Sequence, residues 1–107
     1  MCIIKTIKRK IISEECWNLD YELIKWLNTH LKVYKEEASE YVDLDFHEFR
    51  YKGKKMSQIE VIDRIIEITD EITKDFDYYN LIGDGRVMEM KDEMYELLRM
   101  VHFSLWW

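Results

Sequence analysis

Proline is absent from this 107-residue chain, and glycine occurs only three times. No ring is therefore present to break a long helix, and collagen-like or proline-rich extended architectures are excluded. The two cysteines, Cys2 and Cys16, are too few for a disulfide scaffold. They read as small hydrophobes in a reducing, cytoplasmic setting. Apolar runs stop after a few residues, so no membrane-spanning segment is expected. The stretch MCIIKTIKRKII interleaves its charges with its isoleucines, unlike a secretory leader. Positive charge is in deficit, with 16 basic residues against 22 acidic ones and a net charge of −6. That balance argues against a protein that grips phosphates, so direct nucleic-acid binding is not expected. Nor does a Gly/Ser-rich linker or internal repeat divide the chain, which reads as a single domain over residues 1–107.

Present in quantity are apolar residues, 48% of the chain, and aromatic ones, 14%. From Cys2 to Ile12 the sequence alternates and is β-branched, which predicts a strand. Ser13 offers an N-cap, and Trp17, Tyr21, Ile24, Leu27, Leu31, Tyr34, Ala38 and Tyr41 then step by three or four. A helix from about Glu14 to about Glu40 follows, with Trp17, Tyr21 and Tyr34 in the core. Leu19, Leu23 and Trp26 lie well round from that stripe, so this first helix is expected to be sandwiched on two sides.

Over residues 42–56 the period falls to two, with a slip between Phe46 and Phe49, and Lys52-Gly53-Lys54 forms a tight turn. The expectation is a small hairpin within 44–56. Ser57-Gln58-Ile59-Glu60 is a capping box, and Met56 and Val61 stand where a hydrophobic staple needs them. A second helix follows over 58–75, with Ile59, Ile62, Ile65, Ile66, Thr69 and Ile72 on its buried face. After a break at Asn80–Gly85, a third helix near 86–105 buries Met90, Met94, Leu97, Leu98, Val101 and Leu105. The fold class is thus α+β, mainly helical: three helices, a short N-terminal strand and a small hairpin. Leu27, Leu31, Ile62, Ile66, Met94, Leu98 and Val101 are expected to be buried.

Catalytic chemistry has few candidates. His30, His47 and His102 lie in different elements, and no serine or cysteine stands in a nucleophile setting. No Cys/His pair has zinc-ligand spacing, and Gly83-Asp84-Gly85 lacks the lysine of a phosphate loop. No cofactor, metal or catalytic residue is therefore assigned. Glu67-x-x-Asp70 followed after 18 residues by Glu89-x-x-Asp92 resembles the paired acidic motif of the all-α nucleoside triphosphate pyrophosphohydrolases. That resemblance implies Mg²⁺ held by Glu67, Asp70, Glu89 and Asp92, with Asp70 standing where the family has Glu. Glu37-x-x-Glu40 and Glu60-x-x-Asp63 repeat the same spacing, and helical phase turns Glu67, Asp70, Glu89 and Asp92 away from the packing seam. The enzyme reading is therefore the alternative.

The leading expectation is a protein-binding module. Glu60, Asp63, Glu67, Asp70 and Glu71 form a row on the second helix that its own Arg64 and Lys74 neutralise poorly. Residues 36–48 hold six acids and no base, and supply a second patch at Glu36, Glu37, Glu40, Asp43 and Asp45. Carboxylates spaced roughly 5–6 Å apart along a helix approximate the repeat of phosphates on a nucleic-acid strand. A partner with a basic surface, such as a nucleic-acid-handling enzyme, is the expected target. Inhibition by nucleic-acid mimicry would be the activity, similar in general character to the anti-defence inhibitors of phages. Trp26, off the main stripe, and Tyr78 and Tyr79, before the glycine turn, complete the candidate contacts. Arg50, Lys52, Lys54 and Lys55 form a rival basic contact block. Trp106 and Trp107 either dock on the core as a lid or anchor an interface, including one between two copies of the chain.

Overall fold

A computed structural model describes residues 19–74 and 85–107. The expected strand at 2–12, the cap at Ser13, Cys2, Cys16, Trp17, Tyr78, Tyr79 and most of the 80–85 break lie outside the described residues. Within them the order is α1 (Leu19–Ala38), β1 (Glu48–Tyr51), β2 (Lys54–Ser57), α2 (Gln58–Lys74) and α3 (Gly85–Val101), closed by a 3₁₀ turn (His102–Ser104). Three helices and one antiparallel hairpin make this a mainly helical α+β fold.

The hairpin is shorter than the alternation suggested. Glu48 pairs with Ser57 and Tyr51 with Lys54, which leaves Lys52-Gly53 as a two-residue loop. Both loop residues have positive φ, +51° at Lys52 and +80° at Gly53, the requirement of a type I′ hairpin turn. A Cβ added at Gly53 would meet nothing within 4 Å, so only backbone strain opposes substitution there. Gly53→Ala should lower stability by about 1–2 kcal/mol, measured by urea unfolding, with no change in the folded spectrum.

Residues 42–47 turn where a strand was expected. The Asp43 carboxylate accepts the Asp45 backbone N–H at 2.9 Å, a local bond that competes with extended structure. Leu44 is buried and anchors the loop. The loop then serves α2: its Leu44 and His47 carbonyls accept the N–H groups of Ile59 and Gln58. The capping box closes as the sequence implied, Ser57 Oγ accepting from Glu60 N–H and Glu60 Oε1 from Ser57 N–H. All four N–H donors that the start of a helix leaves unbonded, from Ser57 to Glu60, are thereby satisfied.

Among the described residues the helix covered on two sides is α2, not α1. α2 packs against α1 along one seam and α3 along another. Leu19, Leu23 and Trp26 on the outer side of α1 are about half exposed or more. Two seams require a wider apolar arc than one stripe, which is why Val61 and Ile68 join Ile62, Ile65, Thr69 and Ile72 in full burial. Leu31, Ile62, Met94 and Val101 are buried as expected. Leu27, Ile66 and Leu98 are half-buried and pack against that core, and Tyr21 is likewise only half-buried.

Buried polar groups along these seams are paired. Asn28 Nδ2 donates to Thr69 Oγ1 at 2.8 Å and to Asp70 Oδ1 at 3.0 Å, while Thr69 Oγ1 donates to the Ile65 carbonyl. Among the described residues no buried side-chain polar atom lacks a partner, as a well-formed interior requires.

Candidate partner-binding surface

The acidic row of α2 is not the free charge its sequence suggested. Lys35 of α1 meets Asp63 at 2.6 Å, and Lys32 meets Asp70 at 2.7 Å. Arg64 reaches Glu67 at 2.8 Å and clasps Glu93 of α3 with two bonds, 2.6 and 3.0 Å. Lys32 and Lys35 come from a different helix, so the charge count within α2 could not include them. Lys32 and Asn28 hold the Asp70 carboxyl below its usual range, against a smaller opposing effect of burial. The Arg64 guanidinium does the same for Glu93. Glu60 is engaged in the capping box, and Glu71 is exposed with no ion-pair partner among the described residues.

A different arrangement holds at the other patch. Glu36, Glu37, Glu40, Asp43 and Asp45 are all exposed, on the last turn of α1 and the loop after it. None of the five has an ion-pair partner among the described residues, and Asp43 bonds only to backbone. The loop beneath them is held by buried Leu44 and by its two bonds to the start of α2.

Aromatic side chains gather beside this loop, and two of them contradict the sequence reading. Tyr41, assigned to the buried stripe, is 70% exposed, because α1 ends at Ala38 and the turn beyond it loses the helical phase. Phe46, assigned to a strand, is 76% exposed. The C-terminal residues fold back onto the same region. Tyr34 Oη donates to the Trp106 carbonyl at 2.9 Å, and Gln58 Nε2 donates to the Ser104 carbonyl at 2.8 Å. The Trp107 ring lies 5.6 Å from Tyr34 and 6.4 Å from Tyr41, stacked on the latter. Trp106 and Trp107 are thus docked, as a lid would be, yet each keeps more than half its surface exposed.

Trp26 stands apart from this region. It is 57% exposed, and it stacks on His30, with ring centroids 3.9 Å apart, while His30 Nδ1–H donates to the Trp26 carbonyl. Gln58 and Asn28 are the buried polar residues that the sequence reading passed over. Asn28 follows Ile24 by four positions, so its phase alone could have placed it on the packed stripe.

No family model, curated protein or solved structure matches this chain. The four carboxylates of the pyrophosphohydrolase alternative form no common site. Glu67 and Asp70 are bound to Arg64 and Lys32, while Glu89 and Asp92 line an open groove on α3 with Lys52, Arg64, Glu93 and Glu96. Among the described residues no group of three or more His, Cys, Asp or Glu side chains is placed to hold a metal ion. No helix of the described residues is long and apolar enough to cross a membrane.

Proposed function

We propose that this chain is a small protein-binding module whose exposed acidic patch at Glu36, Glu37, Glu40, Asp43 and Asp45 meets a basic partner surface. One observation carries the reading. The carboxylates of this patch have no cation partner among the described residues, whereas Asp63, Glu67 and Asp70 on α2 are matched with lysine or arginine from the same molecule. Like charges held close on a fixed backbone repel, and a cationic partner relieves that repulsion on binding. A nucleic-acid-handling enzyme supplies such a surface, and occupying it would inhibit the enzyme.

The test is competition. A partner captured from the source cell is mixed with this protein and with duplex DNA or RNA. The mimicry reading requires that nucleic acid and this protein displace one another, and simultaneous binding of both would overturn it. Reversal of Glu37, Glu40 and Asp45 to Lys should weaken the complex by on the order of tenfold at low ionic strength. The loss should shrink as salt shortens the screening length. Asp43 is left intact in that variant, because its side chain holds the loop turn. If reversal of Arg50, Lys54 and Lys55 weakens binding instead, the contact lies on the hairpin and the proposal fails.

A further inference from the structure

We infer that the aromatic side chains beside the acidic loop dock an arginine-rich segment of the partner, with guanidinium groups lying on the rings and paired with the loop carboxylates. The inference rests on the acidic-patch reading above and names the chemistry of its partner. Tyr41, Phe46, Trp106 and Trp107 are each between 55% and 76% exposed. Phe46 and Trp106 wall an open groove of about 480 Å³ that Asp43 and His47 also line. Tyr41 and Trp107, chain neighbours of the lining residues Val42 and Trp106, lie stacked with 11° between their ring planes. Exposed aromatic rings gathered in this way mark a contact site on a folded protein.

The backbone that carries these rings is anchored. Tyr34 and Gln58 fix the backbone of Ser104 and Trp106, and Leu44 with two backbone bonds fixes the loop that carries Phe46. Backbone fixed before binding loses little freedom when it is covered.

Charge selects the occupant. Residues 36–49 contain no lysine or arginine, so the carboxylates bordering the rings repel phosphate and would repel this same patch on a second copy. They attract a cationic chain. Among cations, guanidinium is planar, weakly hydrated and able to pair with a carboxylate through two bonds while stacking on a ring. An ammonium is a compact, strongly hydrated charge and gains less from the aromatic face.

The experiment titrates the full chain with two peptides of equal length and charge, alternating Arg-Gly and Lys-Gly, by calorimetry. Arg-Gly is expected to bind about fivefold more tightly than Lys-Gly, the size of one or two exposed cation–π contacts. Phe46→Ala with Trp106→Ala should remove that preference and leave the weaker lysine-type binding. Glu40→Gln with Asp45→Asn should weaken both peptides together. All four side chains are exposed, so an unchanged melting temperature in each variant shows that the fold persists. Equal binding of the two peptides, unaltered by the aromatic substitutions, overturns the arginine inference and leaves the acidic-patch proposal standing. Binding of neither peptide overturns both. Concentration-dependent self-association that is lost in the Trp106 variant assigns the rings to a second copy and overturns the inference.

Discussion

Ile65→Ala should lower the unfolding free energy by about 3–4 kcal/mol, the cost of deleting a large aliphatic side chain at a site with no exposure. Ile65 is fully buried in the core cluster drawn from α1, α2 and α3, so the cavity left there has little room to collapse. Total stability for a domain of this size is about 5–15 kcal/mol, so the variant stands near the edge of folding. Its melting temperature should fall by on the order of 15 °C. Leu23→Ala provides the contrast. Leu23 is 49% exposed on the outer side of α1, and its loss should cost less than about 1 kcal/mol. Chemical denaturation of the two variants side by side decides which helix is packed on two sides. Equal losses would place a second seam on α1, contrary to the structure.

Acid should destabilise this protein, with Glu93 contributing through its bond to Arg64. The Glu93 carboxyl is held below its usual range by the guanidinium, more than burial raises it. In the unfolded chain the same group returns to about 4.3. As pH falls through that value, the unfolded state takes up the proton first, and the equilibrium moves toward unfolding. The contribution is therefore complete above the unfolded value and is lost as pH falls through the lower, folded one. Two charge-assisted bonds in a pair that keeps some solvent contact, with side chains 33% and 25% exposed, amount to about 1–2 kcal/mol. Asp70 acts in the same direction through Lys32 and Asn28, but its side chain is 52% exposed and its share should stay below about 1 kcal/mol. Glu93→Gln should flatten the stability profile between neutral pH and pH 3 and lower the plateau above it. A profile with an unchanged slope would show that the clasp does not hold α2 to α3 in solution.

Local chemistry was legible wherever a few neighbouring residues decide the outcome. Ser57 and Glu60 specify a helix start because both halves of the capping box lie within one turn. Gly53 specifies a turn because its backbone tolerates positive φ. The stripe of Leu27, Leu31, Tyr34 and Ala38 specifies a helix face because its spacing matches the helical period. Element type and the mainly helical α+β class follow from such signals. Boundaries were less secure: Tyr41 continues the spacing of α1 on paper, but the helix ends at Ala38 and the ring turns out to solvent.

What the tertiary structure alone decided was which charges meet. Counted along α2, Asp63, Glu67 and Asp70 are opposed by too few cations. Once α1 packs alongside, Lys32 and Lys35 pair with Asp70 and Asp63, residues 38 and 28 positions away in the chain. Salt bridges act over a few ångströms of space, and sequence distance carries no information about that separation. The same holds for the C-terminus, where Tyr34 and Gln58 bind the backbone of Ser104 and Trp106 and bring Trp107 onto Tyr41. Composition by itself determined that the chain is acidic and rich in aromatic residues. Packing decided that the acids at the end of α1 and in the loop after it, without an ion-pair partner among the described residues, stand beside exposed rings.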